Sequence, residues 1–288
     1  MGLRINTNIS AMGAYRNLAT TDKAMQTSLQ RLSSGLRINK AADDAAGLAV
    51  SEGLRSQIGG LQVAARNAQD GINVVQVADG ALAETGSILQ RMRELWIAYG
   101  NTGSQDSNAL GDINTEYQQL CNELDHIGAT TTFGGQKLLD GTYAGVFQVD
   151  SGTGPGSTMT VDLKNSGSVT WTSGFMGVSA LNLAVNAPSG LQNINHPYFT
   201  QLSIYDFSIN EISRVRATLG AYQNRLEHTI NNLNVAVENL SASKSSITDT
   251  DMAQEMATFS KAQIISQAGT AMLAQANQAP QGVLKLLG

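Results

Sequence analysis

The side chains that usually carry chemistry are sparse in this chain. Its 288 residues include one cysteine and three histidines. A lone Cys121 excludes an intrachain disulfide framework. His126, His196 and His228 stand apart, with no HExxH pair and no zinc-ligand spacing. Cys121 follows Leu120 in a helical pattern and reads as a small, partly buried packing residue rather than a reactive thiol. Met12, Met25, Met252, Met256 and Met272 also read as packing rather than as metal ligands. No metal, cofactor or catalytic constellation is expected, so the chain does not read as an enzyme.

Composition narrows the partners. Charged residues make up 14% of the chain and the net charge is -5. Nucleic-acid binding would call for a basic stripe, which is missing. Two Trp and six Phe favour a helical core of small residues over an aromatic one. Met1–Ser10 contains neither an apolar signal core nor a cleavage site. No apolar stretch is long enough to span a bilayer, so membrane insertion is not expected. On these grounds the protein reads as cytosolic, unless it leaves by a route that needs no cleaved signal.

What the sequence supplies in place of chemistry is heptad helix at both ends. Tyr205, Ile209, Ile212, Leu219, Leu226, Ile230, Leu233, Val237, Leu240 and Ile247 fall on one heptad grid. Leu18, Met25, Leu29, Leu32 and Leu36 do the same near the start. A period of 3.5 keeps an apolar seam facing a partner helix. The two ends therefore meet each other or other copies.

The first helix is expected from about Ile5 to Leu32, stopped by Ser33-Ser34-Gly35. An irregular connector, Asn39–Asp44, follows. A second helix begins near Ala45, with its seam through Leu54, Ile58, Leu61, Ala65, Ala68, Ile72, Val75, Leu82 and Leu89. Asp79 and Gly86 are weak positions on it, and Gly59-Gly60 costs about 1 kcal/mol per Gly without breaking the phase. A third helix, capped by Asp106 or Ser107, carries Ile113, Tyr117, Leu120, Leu124 and Ile127. Thr130–Phe133 with Gly134-Gly135 reads as strand and turn. Val146–Val149 and Met159–Leu163 read as a hairpin. Helix resumes after Pro197 and runs to about Ser246, so that Tyr205–Ile247 spans roughly 63 Å at about 1.5 Å per residue. A last helix is expected from Met252 to about Gln278, ended by Pro280. The fold class is mainly α: long antiparallel coiled-coil helices from both termini with a small central β-hairpin region.

Three ordered strings now resemble one family. Leu29–Asn39 followed by Asp43–Leu48, Leu219–Leu233, and Leu273–Gln281 are similar to the terminal signatures of bacterial flagellin. The resemblance covers roughly residues 1–140 and 200–288. It implies a structural subunit of the flagellar filament, assembled by helical subunit–subunit packing for swimming motility. It also implies export in unfolded form and assembly at the filament tip, which places the chain extracellularly without a cleaved signal. The implied partners are other copies of the chain, the flagellar export apparatus, an export chaperone, the filament cap and the hook–filament junction proteins.

The resemblance divides the chain by duty. Residues 1–44 with 248–288 become an inner coiled-coil filament-core domain, and 45–142 with 198–247 an outer-core helical domain. Residues 143–197 form a β-rich insert at the outer surface. Implied filament-core packing residues are Leu18, Met25, Leu29, Leu32, Met256, Phe259, Ile264, Leu273, Leu284 and Leu287. The terminal segments are expected to order on assembly.

The string Leu89, Gln90, Arg91, Met92, Arg93, Glu94, Leu95, with Glu116 on the next helix, is similar to the flagellin patch bound by a vertebrate Toll-like innate receptor. Filament packing is its primary expected role and receptor binding the secondary one. Where the family continues with small residues and Gln, this chain has Trp96, Ile97, Ala98 and Tyr99. Two further readings stay open at this point: a hook–filament junction protein and a soluble coiled-coil adaptor.

Overall fold

The structure is a computed structural model. It describes residues 8–101, 103, 106–163 and 198–287. In order, the elements are α1 Ile9–Ser34, α2 Ala45–Tyr99, α3 Ser107–Thr130, β1 Thr132–Phe133, β2 Gln136–Lys137, β3 Ala144–Gln148, β4 Thr158–Asp162, α4 Tyr198–Thr248 and α5 Met252–Leu287. The expected mainly helical class with a small β-hairpin region is borne out. The chain forms two compact units, one of residues 1–58 and 238–288, the other of residues 59–237.

In the first unit α1 and α5 run antiparallel. Asn8 caps α1 by accepting a hydrogen bond from the Ala11 N–H at 3.0 Å. Its side-chain amide also donates to the Ala276 carbonyl across the pair at 2.7 Å. Further along, Ser266 donates to the Asp22 carboxylate at 3.0 Å, and Arg31 lies 3.7 Å from Glu255. Small residues sit between the helices: Ser28 and Ala262 are buried, and a Cβ at Gly269 would come within 3.3 Å of Leu18.

Gly35 ends α1 in the left-handed region at φ 71°, where its N–H donates to the Arg31 carbonyl at 2.8 Å. The helix thus runs two residues past the expected stop at Leu32, because serines are tolerated in a last turn and the glycine is the true terminator. The expected start, Ile5 to Thr7, lies outside the described residues.

Immediately after Gly35 the chain grips the break between α4 and α5. Leu36 bridges Asp249, the Thr250 N–H donates to the Gly35 carbonyl at 2.9 Å, and the Arg37 N–H donates to Thr248 at 2.7 Å. The Arg37 guanidinium donates to the Ile247 carbonyl at 2.6 Å, satisfying the negative end of α4. Hydrogen bonds from Ser245 and Thr248 hold the Asp249 carboxyl below its ordinary range. Asp251 then accepts from the N–H groups of Ala253 and Gln254 and starts α5.

The expected end of this last helix near Gln278 is overturned: α5 continues through Pro280 to Leu287. Proline removes one helical hydrogen bond, which kinks or weakens a helix but does not oblige it to stop.

The second unit contains the main core. On α2, Leu61, Ala68, Val75, Leu82 and Leu89 are all buried at steps of seven. On α4, Tyr205, Ile212, Leu219, Leu226 and Leu233 are buried at the same step. A second buried line on α2 runs through Ala64, Gly71, Ala78, Thr85 and Met92. Such small residues let neighbouring elements approach closely. A Cβ at Gly71 would meet Leu226 at 3.2 Å and Phe147 of β3 at 3.4 Å, and one at Gly60 would meet Ser151 at 2.7 Å. The two glycines make room for the hairpin, which accounts for the helix propensity lost there.

α3 is capped by Asp106, which accepts from the Ala109 N–H at 2.8 Å. It buries Tyr117, Cys121 and Leu124, and the Tyr117 and Tyr205 hydroxyls meet at 2.5 Å. β1 and β2 are joined by Gly134 and Gly135, both at positive φ, as a two-residue hairpin turn requires. β3 pairs antiparallel with β4 from Ala144↔Asp162 to Gln148↔Thr158. Met159, Val161 and Leu163 face the core while Thr158, Thr160 and Asp162 face out, a period of two.

Leu226 is fully buried against Ala68, Ile72, Val149 and Met159. Leu226→Ala is expected to destabilise this unit by about 2–5 kcal/mol, the usual range for such a truncation. Urea denaturation of the free subunit followed by circular dichroism checks it. A loss below about 1 kcal/mol would mean that Leu226 does not anchor the hairpin to the helices.

Candidate functional site

The residues expected to pack against other copies separate into two groups on the α1/α5 pair. Leu18, Met25 and Leu32 on α1, and Phe259 and Leu273 on α5, are half-buried. Leu29, Met256 and Ile264 are more than half exposed. Leu284 and Leu287 lie in the last turns of α5, and their side chains are outside the described residues.

The exposed group is larger than the heptad reading gave. Ile9, Met12, Tyr15 and Val50 are more than half exposed, as is Met272, and Met252 and Ile265 are nearly so. A signal for part of this surface exists in the sequence: Tyr15, Leu29 and Leu36 share a second heptad phase beside the one through Leu18, Met25 and Leu32. The two phases are the two lines of one heptad seam, of which the line through Leu18, Met25 and Leu32 is half-buried while Tyr15 and Leu29 stay exposed.

The α5 part of this surface carries little charge. Between Met252 and Gln278 the charged side chains are Glu255 and Lys261, and Glu255 pairs with Arg31. Within the first unit, Ile38 and Ala262 are the apolar side chains that are fully buried among the described residues. The second unit, by contrast, buries Leu82, Leu89, Met92, Leu124, Leu138, Leu219 and Leu226 almost completely. One unit has a core and the other has mostly surface.

The second candidate patch also divides. Leu89 and Leu95 are 0% and 5% exposed and belong to the core of the second unit. Gln90, Arg91 and Glu94 are exposed. Arg91 Nε donates to Glu116 Oε1 at 2.7 Å, and Arg91 Nη1 lies 3.4 Å from Glu94 Oε2. The hydrogen bond to Glu116 raises the Arg91 pKa further above its ordinary value. Arg93 is half-buried and pairs with Asp206 at 2.7 Å. Next to this patch the Trp96 and Tyr99 rings stack at 6.1 Å between centroids.

Nothing in this geometry arranges chemistry. Burial pushes the Cys121 thiol up to about 11, which disfavours the thiolate. The same burial raises the Tyr117 and Tyr205 hydroxyls. Among the described residues no group of three His, Cys, Asp or Glu side chains could hold a metal ion. No described helix is long and apolar enough to cross a membrane.

Comparison with known proteins identifies the architecture. Residues 5–144 match the family model of the bacterial flagellin N-terminal helical region, and residues 202–287 match that of the C-terminal helical region. The flagellin of Bacillus subtilis is 46% identical over 99% of this chain and 100% of its own length. The flagellar filament 33 kDa core protein of Treponema phagedenis is 44% identical over 98% of this chain and 99% of its own. A crystal structure of Bacillus cereus flagellin aligns with 58% of this chain and 88% of its own at 27% identity and a TM-score of 0.44. With both terminal regions matched and full-length relatives at this identity, the chain belongs to the bacterial flagellin family.

Proposed function

We propose that this flagellin polymerises into the flagellar filament by packing the uncovered apolar surface of α1 and α5 against other copies of itself. As a flagellin it is a structural protein of the filament for motility rather than an enzyme. The observation that carries the packing reading is the imbalance within the first unit. Its helices expose Leu29, Met256 and Ile264, while among the described residues its fully buried apolar side chains are Ile38 and Ala262. Each of these exposed side chains is already partly covered, so burying the remainder against a neighbour contributes roughly half of the usual range for a full burial, about 1–2 kcal/mol. Charge is scarce on α5 between Met252 and Gln278, where Glu255 and Lys261 are the charged side chains, so little like-charge repulsion opposes close association there.

The association is heterologous: a patch on one copy meets a different patch on the next, giving an open polymer rather than a closed ring. In this reading residues 1–44 with 248–288 form the filament core, 45–142 with 198–247 the outer helical layer, and 143–197 the outward insert, of which 164–197 lie outside the described residues. The two compact units also combine the termini in one unit, though they divide inside α2 and α4 rather than at the helix breaks. With so little core of its own, the terminal helix pair gains its order on assembly, a coupled folding event. Such a pair is compatible with export in unfolded form through the flagellar export apparatus. An export chaperone, the filament cap and the hook–filament junction proteins complete the expected partners, and the working location is the extracellular flagellum.

A second reading concerns the exposed part of the other patch. Arg91, Glu94 and Glu116 lie together on the surface of the second unit, joined by the Arg91 ion pairs. A Toll-like innate receptor is the expected partner for such a patch, with Leu89 and Leu95 holding the helix beneath it rather than touching the receptor. If so, Arg91→Ala lowers the signal in a receptor-reporter cell assay by at least about tenfold, the loss of one charge-assisted contact. An unchanged signal from an active parent removes Arg91 from the site.

Leu29→Glu and Ile264→Glu place a charge on the proposed packing surface without touching the core of the second unit. Each is expected to raise the concentration needed for polymerisation by more than about a hundredfold, given the cost of burying an unpaired charge. Sedimentation and electron microscopy measure the polymer, and thermal unfolding of the free subunit checks the fold. Filaments forming at the parent's concentration would remove these residues from the interface.

A further inference from the structure

The chain has nine methionines, and the described ones divide sharply by place. Met92 and Met159 are 0% and 8% exposed in the core of the second unit, and Met25 is half-buried. Met12, Met252, Met256 and Met272 are 59%, 47%, 51% and 64% exposed. Every exposed methionine among the described residues therefore lies on α1 or α5. Met252 and Met256 are one helical turn apart and share a face. Ile264 and Ile265, exposed on the same helix, offer no hydrogen-bond donor from their side chains.

We propose that these four thioethers are a modification site through which a peroxide blocks polymerisation of the free subunit. The inference rests on the reading that this surface packs against other copies. In the reaction the thioether sulfur attacks one oxygen of hydrogen peroxide and the O–O bond breaks. Sulfur is oxidised to the sulfoxide, the peroxide is reduced, and the departing oxygen leaves as water after proton transfer. An apolar, polarisable side chain becomes a polar one with a strong acceptor oxygen. Covering that oxygen at a packed interface strips away its water hydrogen bonds, and apolar side chains of the same surface such as Leu29, Ile264 and Ile265 return none, so its burial is opposed. In the polymer the same sulfurs are covered by neighbours and slow to react. The device therefore acts on subunits before they add, and it is reversible, because sulfoxides are reduced enzymatically.

The test uses the full chain. Free subunit and polymer are exposed to hydrogen peroxide, and sulfoxide at each methionine is counted by peptide mass spectrometry. After peroxide removal, assembly is followed by sedimentation and fold by circular dichroism. In the free subunit Met12, Met252, Met256 and Met272 are expected to oxidise at least about tenfold faster than Met92 and Met159, following exposure. The concentration needed for assembly should rise at least about tenfold with the helical signal unchanged, and the two epimer-specific sulfoxide reductases should restore assembly. A variant carrying M12L, M252L, M256L and M272L, with M25L added because α1 is open in the free subunit, should assemble and continue to assemble after peroxide. Equal oxidation of exposed and core methionines, unchanged assembly of the oxidised chain, or peroxide sensitivity of the leucine variant would each overturn the proposal. Untreated protein is assayed in parallel. Its failure to assemble counts against the packing reading, whereas assembly that persists after oxidation counts against the methionine proposal alone.

Discussion

Two helices laid side by side cannot cover their own apolar surface. Each helix has a face that its single partner leaves open, and only small residues fit between two backbones in close contact. The α1/α5 pair obeys this limit: the small Ser28 and Ala262 are buried, while Leu29, Met256 and Ile264 stay exposed. The second unit escapes it by adding α3 and two hairpins around α2 and α4. There Leu82, Leu89, Leu219 and Leu226 lose nearly all contact with solvent. One part of the chain is self-sufficient and the other is dependent, and the proposed assembly makes use of that dependence.

The register of the dependent pair is set at its junction. Gly35 turns the chain, Leu36 and Arg37 pair with Thr248–Thr250, and Asp251 starts α5 at once. From that point α1 and α5 can only run antiparallel. Ser266–Asp22 and Asn8–Ala276 then fix the pairing along its length. Specificity thus comes from a few polar contacts, and the apolar faces are left for neighbours.

Much of this organisation was legible in the residues, and the exceptions have physical causes. The buried steps of seven on α4 are Tyr, Ile and Leu, which announce their phase. The caps Asp106 and Gly35 were legible because few residues serve those positions. The second buried line on α2 is not legible in the sequence because Ala64, Gly71, Ala78 and Thr85 do not stand out as core by hydrophobicity, although close packing selects them for size. Pro280 was read as a stop because its local cost is certain and its surroundings are not. Among the candidate site residues, a heptad alone could not tell Leu18 from Leu29. Which apolar line meets the chain's own helix and which is left over depends on the position of α5. Leu89 and Leu95 were grouped with their charged neighbours because they are adjacent in sequence, whereas helical geometry turns them inward.

The central claim is that the terminal helices are completed by neighbouring copies. Hydrogen exchange on the free subunit and on the assembled filament tests it most directly. Backbone amides of α1 and α5 are expected to exchange readily in the free subunit and to become strongly protected in the filament. Amides of α2 around Leu82 should be protected in both states. Equal protection of α1 and α5 in the two states would contradict it.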